Sequence, residues 1–410
     1  MLRICFGGKA DRRGGRRLLL HRKKCVWSNL LEELLVEVFS WLPAESLIRF
    51  KCVNKYWYGL ITSLLKNSSF VHNHFRNLNS ICTSSSCMVF CCPGYGHLYY
   101  PELESLRNNV FKSLTIFYDP STKISLLERF DLPLISGKEH ASSVIGIHCN
   151  GIICQVNCQG AIALCNPVVK QWRNLPKTCL RENISPQGVG FGYDSKSGDY
   201  KVVRFGWRKN QLGKVLAEVY SMRSNSWREI GVDIKFKRWT GNAMKCYCNG
   251  FFYWSKWVNS SSEFLIISFD MCKEVFSYVA LPGNNLVVHK EQIPTMAAWN
   301  DSLALMFYSE NKVFFELWVL NNNRDHPNKE EYCWSRKLVI EAGGVEFARP
   351  LNFMKNDEIL MQTDERNILV YNIRNQVIRK RIQKVFRLQS WDFFYAPSLV
   401  SVHGISDQVI

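Results

Sequence analysis

The residues of this 410-residue chain that are equipped for chemistry do not assemble into a catalytic set. Gly188-Val189-Gly190-Phe191-Gly192 has the glycine density of a phosphate cradle, where backbone amides at a helix start hold an anion. Here the glycines open a strand and run into a turn, so a nucleotide site is not expected. His72-Asn73-His74 places two imidazoles close together, but without a third ligand a solvated or hydrogen-bonded histidine is the simpler reading. Cys87 with Cys91, and Cys154 with Cys158, lack the two-residue gap and the second pair of a zinc site. Asp357-Glu358 and Asp364-Glu365 lie in polar loop sequence and read as solvated faces. No nucleophile elbow marks a Ser-His-Asp arrangement. The expectation is a binding protein with no catalytic residue, cofactor or metal.

The elements that would position a binding surface begin at Ser28. Leu31, Leu34, Leu35, Val38, Phe39 and Leu42 fall at the spacing of a helix with one apolar face. Pro43 ends it and suits the start of a second helix carrying Leu47, Ile48 and Phe50. Asn54 is placed to cap a third, on which Trp57, Leu60, Ile61, Leu64 and Leu65 repeat the pattern. Three short helices in under fifty residues bury too little apolar surface to stand alone, so something else must cover them. Packing on the rest of the chain is one alternative; a DNA-reading helix pair is disfavoured because Glu32, Glu33 and Glu37 would face phosphates.

This segment resembles the F-box, the motif that docks onto the Skp-type adaptor of cullin ubiquitin ligases. Leu30, Leu34, Glu37 and Val38 match its first helix; Leu42-Pro43, Ser46-Leu47, Arg49-Phe50, Cys52-Val53, Lys55 and Trp57 match the remainder of the motif. Leu31 stands where the family usually has proline, and Trp41 and Tyr56 where small or polar residues are usual. The resemblance implies that Leu30, Leu34, Val38, Leu42, Pro43, Leu47, Ile48, Cys52, Val53 and Trp57 contact the adaptor.

Composition bounds the remainder. Hydrophobic content of 47% with 13% aromatic residues excludes wholesale disorder, and 410 residues suggest two domains or one large repetitive one. Sixteen cysteines scattered through apolar runs, without a signal peptide, read as reduced core residues. No run reaches the length needed to span a bilayer. Of the net charge of +17, residues 1–24 supply +8, from nine basic residues against Asp11, leaving +9 for the rest. Repelling cations and glycines predict a disordered basic tail over residues 1–27, open to a nuclear-localisation, nucleic-acid or membrane-surface role, a transit peptide being disfavoured, or to none. Specific nucleic-acid binding is not assigned from it.

After residue 85 the rhythm changes to short β-rich runs, and hairpins recur. Their turns open at Asp119, Asn166, Ser221, Asp270, Asn321 and Asn372, an interval of about 51 residues. Such a period with several strands per unit predicts a six-bladed propeller. Six residues past the turn stand Trp172, Trp227, Phe276 and Ile378, expected to pack between blades; an inserted loop displaces Trp334 in the fifth repeat, and Ser125 fits less well in the first. Ser398-Leu399-Val400-Ser401-Val402 is expected to close the ring by completing the first blade.

These segments also resemble the plant F-box-associated interaction domain. The matching pieces include Cys149-Asn150-Gly151, Leu164-Cys165-Asn166-Pro167 with Trp172-Arg173-Asn174-Leu175-Pro176, Gly190-Phe191-Gly192-Tyr193-Asp194, Ser226-Trp227-Arg228, Cys248-Asn249-Gly250 and Ser268-Phe269-Asp270. Within that family the chain looks most similar to the S-locus F-box-like and defence-regulating groups. The expected fold is mainly β: a three-helix F-box at 28–76, then a six-bladed β-propeller-like domain at 86–404. The resemblances imply a non-catalytic substrate receptor of a ligase, cytoplasmic or nuclear. It would bind the Skp-type adaptor, through it a cullin, and an unidentified target protein. The alternative is a propeller scaffold or lectin-like binder outside any ligase.

Overall fold

The computed structural model describes residues 26–81, 87–91, 110–116, 124–131, 147–156, 160–180, 184–208, 214–236, 244–258, 264–282, 294–308, 314–321, 333–341, 348–354, 358–363, 367–382 and 393–403. The basic tail before Val26, the turn at Asp119, Cys158, Asp357, Asp364-Glu365 and the fifth-repeat insertion lie outside them.

Four helices come first: α1 (Val26–Ser40), α2 (Ala44–Phe50), α3 (Lys55–Lys66) and α4 (Ser68–Ile81). Pro43 immediately precedes α2, and its carbonyl accepts the Leu47 amide at 3.0 Å. Asn54 caps α3 as its sequence position predicts, its Oδ1 accepting the Trp57 amide at 2.8 Å. The fourth helix is additional to the three that periodicity predicts. Asn67 caps it through the Phe70 amide, and its apolar residues Phe70, Val71, Phe75, Leu78 and Ile81 are spread through an otherwise polar run in which Phe70 and His74 are buried.

The strands form six four-stranded antiparallel sheets. Blade one contains β1 (Cys87–Cys91), β2 (Val110–Ile116) and β3 (Ile124–Asp131). Blade two is β4 (Ile147–Cys149), β5 (Ile152–Val156), β6 (Ile162–Asn166) and β7 (Gln171–Asn174). Blade three is β8 (Ile184–Asp194), β9 (Asp199–Arg208), β10 (Val215–Ser221) and β11 (Ser226–Ile230). Blade four is β12 (Met244–Cys248), β13 (Phe251–Trp257), β14 (Phe264–Asp270) and β15 (Val275–Val279). Blade five is β16 (Thr295–Trp299), β17 (Ser302–Tyr308), β18 (Phe314–Leu320) and β19 (Trp334–Glu341). Blade six is β20 (Ala348–Met354), β21 (Glu358–Thr363), β22 (Ile368–Asn372) and β23 (Val377–Ile382). Inner strands β24 (Phe393–Tyr395), β4, β8, β12, β16 and β20 abut in that succession.

The 51-residue period is the blade, and its turns follow from local chemistry. The first hairpin of blades two, four and five turns on Asn150-Gly151, Asn249-Gly250 and Asn300-Asp301, all with positive φ, the geometry that suits the twist of the flanking strands. In the last hairpin the side chains of Asn166, Asp270 and Asn372 accept amides two or three residues on. Four residues past each opener, Lys170, Glu274 and Gln376 take positive φ, as Asn225 does after Ser221.

Ring closure differs from expectation. Phe393, Phe394 and Tyr395 pair with Phe90, Val89 and Met88, so β24 completes blade one, and Ser398–Val402 is not a strand. Pro397 between them has no amide to contribute to a ladder. Blade packing is also uneven. Trp227 and Phe276 are buried, as predicted, in the cluster joining blades two to four. Trp172 and Ile378 are 54% and 42% exposed. The difference lies in what flanks each: Trp227 Nε1 donates to Pro176 O (2.9 Å) and Trp334 Nε1 to Ala280 O (2.7 Å), each the exit of the preceding blade. No described segment covers Trp172 or Ile378 in that way.

The glycine run is structural. Gly188, Gly190 and Gly192 share one face of β8, against the aromatic residues of blade four. A Cβ at Gly190 would lie 2.7 Å from Trp254 and 2.8 Å from Phe252, while Trp254 Nε1 donates to Val189 O at 3.2 Å. Gly190→Ala should therefore destabilise the ring by about 1–3 kcal/mol through overpacking. Urea unfolding checks this: the midpoint falls while the slope with denaturant stays constant.

Candidate docking site

The apolar face of α1, continued by Trp41 and Leu42 just past its end, divides into two adjoining stripes. Phe39 is buried, with the Trp57 ring of α3 5.1 Å away, and Leu35 and Leu42 are half-buried against the same cluster. Leu31, Leu34, Val38 and Trp41, three or four residues apart, are 62%, 57%, 54% and 42% exposed. Val53 in the α2–α3 turn and Tyr56 and Tyr58 on α3 are exposed too. Hydrogen bonds brace this surface. Trp41 Nε1 donates to Glu37 Oε1 at 2.8 Å, Tyr56 OH donates to Glu32 Oε2 at 3.2 Å, and Lys51 Nζ lies 5.2 Å from the Tyr58 ring centre. Glu32, read from sequence only as a bar to DNA, and Glu37, read also as part of the F-box pattern, thus orient aromatic side chains.

Of the residues expected to meet an adaptor, Leu34, Val38, Pro43, Cys52 and Val53 stand exposed. Leu42, Ile48 and Trp57 are half-buried. Trp57 stacks edge-on against Phe39 and Phe50, with ring centres 5.1 and 5.4 Å away. Leu47 is fully buried in the module's interior, so in this structure it supports the surface from beneath. Leu30 lies on α1, with its side chain outside the described residues. Leu31, Trp41, Tyr56 and Tyr58 are exposed apolar positions absent from the expected contact set. Their signal was the departure from the F-box pattern at the first three.

The interior is closed by α4. His74 is fully buried, and because a carbonyl only accepts, its Nε2 must donate to Leu42 O at 2.9 Å. Its Nδ1 has no partner. Burial pushes His74 down from its ordinary value, only partly opposed by that hydrogen bond. His72 is exposed. Burial also raises the thiols of Cys149 and Cys154 and pushes Cys165 up to about 12, so these cysteines are held as thiols. Among the described residues no group of three His, Cys, Asp or Glu is placed to hold a metal ion, and no helix is long and apolar enough to cross a membrane.

A helical module with an uncovered apolar stripe, set before a six-bladed ring, is a two-domain architecture. Family comparison is specific: the F-box domain matches residues 27–69, and the F-box associated beta propeller domain matches residues 106–402. The chain belongs to the family of F-box proteins carrying an F-box associated beta propeller domain. It is 29% identical over 355 residues to F-box/kelch-repeat protein At3g23880 of Arabidopsis thaliana, covering 85% of this chain and 88% of the relative. It is 24% identical to the Arabidopsis thaliana F-box protein At3g17480, covering 92% of this chain and 98% of that one.

The buried imidazole sets a pH dependence. Above pH 6.5 His74 is neutral folded and unfolded, and its contribution is intact. As pH falls through 6.5 the unfolded chain takes a proton that the folded one refuses, so stability is lost. His74→Gln, which cannot charge, should lose less stability between pH 7 and pH 5 than the natural chain, as read by denaturant unfolding at the two pH values.

Proposed function

We propose that this protein is the substrate-recognition subunit of a Skp-cullin-F-box ubiquitin ligase. The observation that carries the reading is the exposed stripe Leu31, Leu34, Val38 and Val53 on a module that belongs to the F-box family. A row of large apolar side chains left in water on one side of a packed helical unit suits a helix-in-groove contact, in which a few buried anchors supply most of the affinity. The Skp-type adaptor takes that row and links it to the cullin. The propeller holds a target protein, and raising its local concentration beside the ubiquitin-carrying enzyme is the chain's whole contribution, with no bond made or broken here. Such an assembly works in the cytoplasm or nucleus. The propeller's selectivity resides in its loops, which the fold alone does not decode.

The half-burial of Leu42 and its bond to His74 through the main chain make it a poor probe, because Leu42→Asp would disturb the interior. Leu34→Asp with Val38→Asp alters only exposed positions. The double variant should lose at least about 30-fold in affinity for a purified Skp-type adaptor, the equivalent of about 2 kcal/mol, with unchanged circular dichroism and thermal unfolding. Calorimetric titration of both proteins measures it. Undiminished binding would refute the docking assignment and leave a scaffold outside any ligase.

A further inference from the structure

Residues 396–403 leave β24 and cross blade two to reach the helices. Asn166, fully buried at the end of β6, donates from Nδ2 to Ser398 O (3.1 Å), Ser398 Oγ (3.3 Å) and Val400 O (2.8 Å). Ser398 Oγ in turn donates to Asn150 O at 2.6 Å. The approach is close enough that a Cβ at Gly151, whose φ is +77°, would lie 2.2 Å from Ser398 Oγ. Further on, the Val402 amide donates to Gln171 Oε1 (3.2 Å) and Arg173 Nη1 to Val402 O (3.4 Å). Between these anchors Leu399, 2% exposed, joins the buried cluster of the helical module that contains Leu47, Ile61 and Phe70, and Val168 and Val169 of the blade-two turn pack against that cluster.

The geometry points to a clasp: residues 396–403 hold the F-box on blade two in one orientation, with Leu399 and Asn166 as its positioning residues. The physical need is plain. A four-helix module of this size is short of apolar burial, and one residue from the far end of the chain completes its core. Because the strap is anchored on both sides of Leu399, the module is seated on the ring and not merely tethered to it. The exposed stripe on α1 is left free by this contact. On the ligase reading given above, the clasp sets the distance and angle from adaptor to target.

The test is single-molecule energy transfer in the full chain, with dyes at Lys66 on α3 and Lys273 on blade four, both exposed. The natural chain should show one narrow distance population. Leu399→Asp, which places a charge in the module's core, and the milder pair Ser398→Ala with Leu399→Ala should each lose that single maximum while the ring keeps its thermal transition. A single narrow maximum in either variant that retains the ring transition overturns the inference, as does a broad distribution in the natural chain. Adaptor capture is measured in parallel. Loss of the narrow population with adaptor binding retained supports the clasp independently, whereas failure of adaptor binding in the natural chain removes the ligase reading and leaves the distance result standing.

Discussion

Asn166 is the side chain on which the arrangement of this protein turns. It is fully buried, and a buried amide without partners costs about 1–3 kcal/mol, so its donors and acceptor must be matched. Its Oδ1 accepts from the Val168 amide, shaping the blade-two turn, and its Nδ2 donates to main-chain and side-chain oxygens of a segment more than 230 residues later in the chain. One residue thus shapes a local turn and pins the chain's end, and that pinned end delivers Leu399 to the helices.

Why the helices leave apolar surface exposed is explained by the same shortage of material. On α1 and the two residues after it, 31, 34, 38 and 41 form one stripe and 35, 39 and 42 an adjoining one, together an apolar face about 160° wide at 100° per residue. Three short partner helices and one strap leucine cover only the second stripe. The first stays in water, with Trp41 and Tyr56 fixed by glutamates rather than loose. A surface of this kind, held in shape before any partner arrives, binds with less ordering cost than a flexible one.

Much of this was legible in the residues. The interval of about 51 gave six blades, because each blade needs its own tight turn and those turns select Asn, Asp or Ser. The capping role of Asn54 and the strand character of the glycine run were legible for the same local reason. What escaped was whatever depended on distant neighbours. Trp172 and Trp227 occupy equivalent positions in their repeats, yet among the described residues only Trp227 meets the exit segment of the blade before, and Trp172 is 54% exposed. Ser398–Val402 has strand composition but serves as a strap, since Phe393–Tyr395 takes the place beside β1. Leu47 reads as a docking contact and lies inside. Periodicity records that a residue is apolar, not which of two apolar stripes meets the core.

The ring is also braced electrostatically. Lys201, nearly buried, directs its ammonium to Asp194 (2.8 Å), Glu274 (2.8 Å) and Met271 O (2.9 Å), three acceptors for three hydrogens, linking blades three and four. A ring held in this way gives the helical module a firm seat, and the central claim is that the module then offers its outer stripe to a Skp-type adaptor. Hydroxyl-radical footprinting of the full chain with and without purified adaptor tests it most directly. The account predicts protection at Leu34, Val38, Val53, Tyr56 and Tyr58, with no change at Leu47 or Leu399, which are already shielded. Unchanged labelling along α1 and α3, or protection appearing on the propeller alone, would contradict it.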